Sequence, residues 1–176
     1  GGGQSVSSPL NISGTAAMGA PLSGANVKVY DASGAMVVSD GVVQPNGSYN
    51  VTIPAGKQGP FVFVVDDGDQ QYMSVLSDTS NTTVNITPLS NLLASSLSAS
   101  GNPANLVAEI ANRSTDINAT SYAAKVGALR TAIAPVLAAA GVTASNFDPV
   151  SSAFSANGVG IDKVLDVLDV SITPAT

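Results

Sequence analysis

The chain has no cysteine, no histidine and no tryptophan, and Glu109 is its single glutamate. Asp, Glu, Lys and Arg together supply only 10% of its 176 residues. Each absence excludes a chemistry. Without histidine there is no Ser-His-Asp or Cys-His nucleophile system, because the base that takes the proton is missing. Zinc, haem and iron–sulfur sites call on His or Cys ligands and are excluded with them. A disulfide framework is impossible. Paired carboxylates can run glycoside hydrolysis, but one glutamate and only four Tyr and four Phe give that route no support. The expectation is a protein that is not an enzyme, with no catalytic residue and no cofactor.

The net charge is −6, and the six basic residues (Lys28, Lys57, Arg113, Lys125, Arg130, Lys163) are scattered along the chain. Affinity for DNA or RNA rests on Lys and Arg neutralising phosphates, so no nucleic-acid partner is expected. An anionic membrane surface would repel the chain for the same reason. No apolar run reaches the roughly 18 residues of a spanning helix; residues 131–142 come nearest, and Pro135 interrupts them. A chain that starts at Gly1 is expected to follow a segment that was removed.

What is present divides into two halves of different period. Residues 10–87 read as β, from period-two alternation of apolar and polar side chains. Asn26-Val27-Lys28-Val29-Tyr30-Asp31 sets Val27 and Val29 on one face and Lys28 and Tyr30 on the other. Ser48-Tyr49-Asn50-Val51-Thr52-Ile53 repeats the pattern with Tyr49, Val51 and Ile53 inward. Residues 61–65 are apolar on both faces, as in a central strand, and Thr82-Thr83-Val84-Asn85-Ile86 alternates again. Turn signals separate the runs at Ala20-Pro21, Ala32-Ser33-Gly34, Pro45-Asn46-Gly47, Pro54-Ala55-Gly56 and Asp66-Asp67-Gly68-Asp69. Short strands about ten residues apart indicate a β-sandwich of about seven strands.

Residues 88–176 read as helical. Thr87 can cap a helix whose first position is Pro88, a place where the missing N–H has no helical partner anyway. Leu89, Leu92, Leu93 and Leu97 then recur at helical spacing, and Asn102-Pro103 repeats the device before Leu106, Val107 and Ile110. A third helix spans about 121–140, with Tyr122, Val126, Leu129, Ile133 and Val136 on one stripe, Gly141 as the stop and Pro135 expected to kink or split it. A fourth covers about 161–168, with Val164 and Leu165 buried. Asp169-Val170-Ser171-Ile172-Thr173 alternates like a strand, and is expected to return to the sandwich edge or to mark a boundary. The fold class is therefore α+β: a flexible tail over 1–9, a seven-stranded sandwich over 10–87, and about four short helices over 88–176. Each half is close to the size at which one core buries only about 60% of the unfolded surface, so the helices should pack together or against the sandwich.

The motif Ile12-Ser13-Gly14-Thr15, then Pro21-Leu22-Ser23-Gly24-Ala25-Asn26-Val27-Lys28-Val29-Tyr30-Asp31, Gly34, Asn46-Gly47-Ser48-Tyr49 and Ile53-Pro54-Ala55-Gly56 resembles the carboxypeptidase regulatory-like (transthyretin-like) β-sandwich. The resemblance covers about half the chain and implies fold rather than function, since such modules serve as accessory, adhesive and carrier domains. The continuation from Thr87-Pro88-Leu89-Ser90, with Phe154-Ser155-Ala156-Asn157-Gly158-Val159-Gly160-Ile161-Asp162-Lys163-Val164-Leu165-Asp166, resembles secreted lipoproteins of proteobacteria. In that family the mature chain starts at an acylated Cys followed by glycines, so Gly1-Gly2-Gly3-Gln4 implies a lipid anchor on a Cys preceding Gly1. The resemblance thus implies a monomeric, secreted, lipid-anchored protein of the bacterial cell envelope, in the outer membrane or periplasm. It would be a structural or protein-binding surface antigen that meets an envelope or host protein through loops or an exposed strand edge. Carbohydrate binding, or service as the accessory domain of an envelope enzyme, is the alternative.

Several individual residues suggest a site but also have plainer roles. Asp66, Asp67 and Asp69 could offer oxygens to Ca²⁺, but the turn lacks EF-hand spacing and a closing glutamate, and Asp-Gly is ordinary turn chemistry. Asp162, Asp166 and Asp169 read as the polar side of an amphipathic helix. Sugar binding by stacking would fall to Tyr30, Tyr49, Tyr72 and Tyr122, of which Tyr49 reads as core. Adhesins with related sandwiches form a Lys–Asn isopeptide bond; Lys28 and Asn85 invite the comparison, but Lys28 should face solvent and Glu109 lies outside the sandwich. Seven Asn-x-Ser/Thr triplets, at Asn11, Asn46, Asn50, Asn81, Asn85, Asn112 and Asn118, are glycan acceptors only in a eukaryotic secretory route.

Overall fold

A computed structural model describes residues 6–18, 20–143 and 147–152. Among them the chain forms six strands followed by three α-helices: β1 (Leu10–Thr15), β2 (Asn26–Tyr30), β3 (Met36–Val42), β4 (Ser48–Ile53), β5 (Phe61–Asp66), β6 (Gln71–Leu76), α1 (Pro88–Leu97), α2 (Leu106–Ala111) and α3 (Ala119–Ala139). A single 3-10 turn, Pro103–Asn105, leads into α2. The strands make two antiparallel sheets, one of order β1-β4 and one of order β3-β2-β5-β6. The architecture is mixed α+β.

The alternation read from the sequence places the core. Val27 and Val29 of β2 and Tyr49, Val51 and Ile53 of β4 are buried, and β5 is buried from Phe61 through Val65 at the centre of its sheet. The two sheets share one cluster, in which the Tyr49 and Phe63 rings lie 6.4 Å apart at a tilt of 56°. Leu93, Leu97, Leu106, Ile110 and Val126 join the same cluster, so the helices pack on the sheets and not on themselves alone. A smaller cluster unites Ala17, Leu89, Ile133, Leu137 and Phe147.

The count of seven strands is corrected to six. Residues 82–86 run beside β1 in parallel but make only isolated bridges, Ser13 with Thr83 and Ala16 with Ile86. The reason lies in Asn85. Its side-chain Oδ1 accepts the Thr15 N–H at 3.1 Å where a strand would present a carbonyl, and its own N–H goes to the Val150 carbonyl at 2.8 Å. The ladder is thereby interrupted, and Asn85 instead ties β1 to residues 147–152. Contact here is close: a Cβ on Gly14 would lie 1.8 Å from the Val84 carbonyl oxygen.

Helix ends follow the local chemistry. Thr87 caps α1 through the N–H groups of Leu89 and Ser90, Ser90 returns the bond to the Thr87 N–H, and Pro88 takes the first turn. Asn118 and Ser121 form the same reciprocal pair at α3, which starts at Ala119. That helix closes where Gly141, at φ +77°, lets Val142 N–H reach the Leu137 carbonyl and Gly141 N–H reach that of Ala138. Pro135 does not split α3. Pro135 and Thr131, the residue whose carbonyl loses its helical donor, are both exposed, so solvent can take that acceptor. The fourth helix over 161–168, the alternating run 169–173 and the start of the tail fall outside the described residues.

Two glycines give opposite tests of this packing. Gly14→Ala should destabilise the protein by about 3 kcal/mol or more, the upper range for an overpacked site. Gly127→Ala, inside α3 with nothing within 4 Å of the new methyl, should stabilise it by about 0.5–1 kcal/mol through helix propensity. Denaturant titration of both variants measures the difference.

Candidate functional site

A sheet has two edges, and each edge carries backbone donors and acceptors that need a partner or water. Of the four edges here, two are closed. Residues 82–86 cover β1. Helix α1 covers β6, where Asn91 Oδ1 accepts the Met73 N–H at 2.9 Å and the Ser90 hydroxyl donates to the Met73 carbonyl at 2.8 Å. The remaining edges, β3 and β4, are joined by a tight turn in which Asn46 Oδ1 accepts the Ser48 N–H and Gly47 sits at φ +91°. They diverge from that turn into different sheets and enclose a groove of about 890 Å³, lined by Ser13 and residues 37–42, 44 and 48–52. At its floor Gly41 lets the strands meet, since a Cβ there would come 2.7 Å from Val51 Cγ1 and 2.9 Å from Val27 Cβ.

The two walls differ. On β3, the register against β2 shifts twice, from Val27–Gly41 to Val29–Val38 and again to Tyr30–Met36, one extra β3 residue each time. These are bulges, which twist an edge away from pairing. The Asn26 amide fills in by donating to the Ser39 and Gly41 carbonyls, each at 3.2 Å. Met36 and Val42 stand 49% and 50% exposed on this strand, the large exposed hydrophobics among the described residues.

On β4 the pairing with β1 is regular. Ser13 faces Asn50, yet both backbone groups of Ser13 turn the other way, its N–H to the Thr82 carbonyl at 3.0 Å and its carbonyl to the Val84 N–H at 2.9 Å. Thr15, facing Ser48, likewise gives its carbonyl to Ile86 N–H and its N–H to Asn85. Opposite residues in an antiparallel ladder alternate between bonded and non-bonded pairs. Ser48, Asn50 and Thr52 therefore aim their backbone N–H and C=O outward. The turn uses those of Ser48, through Asn46 and Gln44. Those of Asn50 and Thr52 meet no partner among the described residues. Asp40 is the groove's one charged lining residue.

The residues singled out from sequence lie elsewhere. Asp66 Oδ1 accepts the Gly68 N–H at 2.8 Å, and Asp67 Oδ1 accepts those of Asp69 and Gln70 at 2.9 and 2.8 Å. The bond from Gly68, and after it one from the Gln71 side chain to Asp66 Oδ2, hold the Asp66 carboxyl below its usual range. Among the described residues no group of three or more Asp, Glu, His or Cys is placed to hold a metal ion. Tyr49 is buried and its hydroxyl donates to the Val84 carbonyl; burial pushes its pKa up. The Tyr72 hydroxyl is engaged by Gln70, and that of Tyr122 by the Asp148 carboxylate at 3.0 and 3.1 Å. Lys28 is half-buried on the β2 face opposite Val27 and Val29, while Asn85 is buried with its amide engaged by Thr15 and Ser152, which also removes it as a glycan acceptor. Asp162, Asp166 and Asp169 lie outside the described residues.

Glu109 is structural. It is buried within α2, where it accepts from the Ser98 hydroxyl and from the N–H groups of Ala99 and Ser100 at 3.2 and 2.9 Å. The Ser98 hydrogen bond is the main cause that lowers its pKa below 4.5. Of the groove residues, Asn50 and Thr52 stood in one of the Asn-x-Ser/Thr triplets and in the outward phase of the alternation in Ser48–Ile53, while Asp40, on β3, carried no motif. Comparison with known protein families, curated proteins and solved structures finds no match to the chain.

Because the native pKa of Glu109 is depressed, the stability it contributes is present above pH 4.5 and is lost as pH falls from there through the lower folded value. Glu109→Gln should cost about 1.5–3 kcal/mol at neutral pH, the range for hydrogen bonds to a charged group. It should also flatten the acid limb of a stability–pH curve measured by thermal unfolding.

Proposed function

We propose that this chain is a non-catalytic module of a bacterial cell envelope, structural or protein-binding, that acts through the groove between β3 and β4. The observation that carries the reading is the unequal treatment of sheet edges. Two are sealed by the chain's own segments, and the two left open face one another across a single groove. Main-chain groups along an open edge recognise another extended chain. The exposed Met36 and Val42 beside them add apolar area of the kind that marks a contact surface.

The rest of the reading rests on resemblance. Residues 10–87 are read as a transthyretin-like sandwich, and two antiparallel sheets on a shared core are what that fold requires. Lipid anchoring through a Cys before Gly1 and exposure as a surface antigen follow from the likeness to secreted lipoproteins. Carbohydrate binding finds less support, because the one aromatic residue lining the groove, Tyr49, is buried and offers no ring for a sugar to stack on.

Photo-crosslinking separates these readings. A reactive group at Met36 should give protein adducts in an envelope extract, while one at Ala128, exposed on α3, should not. Equal adducts from both positions, or strong binding on a glycan array without adducts, would overturn the protein-binding reading. Sequencing the precursor tests the anchor, which requires a signal segment ending in Cys before Gly1.

A further inference from the structure

We infer that the outer edge of β4 is a strand-addition site, taking an extended segment of a partner protein that is uncharged or basic and sets a Lys or Arg against Asp40. This rests on the protein-binding reading and specifies which edge is used and what it selects.

The choice of β4 over β3 follows from backbone chemistry. Asn50 and Thr52 together present two donors and two acceptors outward with no partner among the described residues. A strand laid about 4.8 Å away would satisfy all four. The strand Ser48–Ile53 also lacks every device that blunts an edge: it has no proline, no charge and no bulge. Across the groove, β3 is bulged twice, and two of its carbonyls are already taken by Asn26. It therefore contributes side chains rather than a ladder.

The partner's chemistry follows from those side chains. Asn50 and Thr52 point from the exposed face of β4 and are uncharged, so they favour hydroxyl, amide or β-branched neighbours at the paired positions. Asp40 alone sets the sign of the charge in the groove, and the chain as a whole carries −6. An acidic segment would be repelled, and a second copy of this chain would bring the same negative charge to the contact. A cation opposite Asp40 is attracted, with a strength that salt weakens.

Two fluorescein-labelled synthetic peptides test the inference on the full chain: Thr-Val-Ser-Ile-Lys-Val-Thr-Val-Ser, and the same peptide with Glu for Lys. The Lys peptide should bind the more tightly by about tenfold at low salt, and the preference should shrink as salt is added. Residue-resolved hydrogen exchange should show the Asn50 and Thr52 amides slowed by about tenfold or more on binding, with those of β3 unchanged. Asn50→Pro removes one outward N–H at a place where an edge strand tolerates proline, and should weaken binding by about tenfold while thermal unfolding confirms the fold. Should that variant fail to fold, Asp40→Lys serves alone and should reverse the preference to the Glu peptide.

Protection in β3 or the loops without protection of Asn50 and Thr52 would overturn the β4 assignment while leaving the protein-binding reading intact. Equal binding of the two peptides, or binding of neither, would overturn the partner chemistry. Slow exchange of the two amides in the protein alone would assign the edge to a second copy if it grows with concentration, and to this chain's own residues if it does not. Failure of the broader reading is distinguishable from all of these, because it shows in the crosslinks, which are then equal from Met36 and Ala128 or absent beside glycan binding.

Discussion

The structure hangs on one close approach. Residues 82–86 lie so near β1 that the carbonyl of Val84 occupies the space where a side chain of residue 14 would begin. That proximity lets Tyr49 reach across β1 to the same carbonyl, and lets Asn85 bond Thr15 on one side and residues 150 and 152 on the other. Sheet, connecting segment and the stretch after α3 are thus fastened at a single seam. Because the seam uses the outward backbone groups of Ser13 and Thr15, it also fixes the phase of the β1–β4 ladder. The direction in which β4 presents its own N–H and C=O groups follows from that phase.

Edge protection here is achieved by three different means. An extended segment covers β1, two helix side chains satisfy one residue of β6, and bulges distort β3. Among the described residues none of these applies to β4. An edge left open in a small acidic protein is an aggregation hazard unless something uses it or repels copies of it. The net charge of −6 supplies general repulsion between copies without closing the edge to other chains. Openness to a partner and solubility are compatible for that reason.

Much of the fold was legible in the sequence, and the exceptions have physical causes. β2, β4 and β5 follow directly from the alternation at Val27 and Val29, the alternation at Tyr49 to Ile53, and the apolar run 61–65. Thr87-Pro88 and Gly141 marked helix ends because capping is local chemistry. β3 escaped because its bulges break the period, leaving Ser39, Asp40 and Gly41 between Val38 and Val42. β6 escaped because it is buried on both faces and includes Ser74, a polar residue in an apolar setting. Residues 82–86 alternate like a strand yet are not one, since the decisive event is a side-chain bond from Asn85. The groove was least legible. Whether an edge is open depends on which distant segments cover the others, and no local pattern encodes that. The acidic turn at Asp66 to Asp69 was conspicuous in sequence for the opposite reason, being chemistry of the turn itself.

The seam also sets an order of events during synthesis. Thr15 and Asn85 are separated by 70 positions, so β1 leaves the ribosome long before its cover exists. Closing so long a loop is entropically costly, and contacts of this range form late. In the interval β1 lacks its cover, and the two bonds from Asn85 to Val150 and Ser152 wait for the stretch from 147 to 152. The stretch after the helices thus adds the last bonds of the seam, and a chain interrupted before residue 150 would keep the cover of β1 without the two that tie Asn85 to the far side of the molecule.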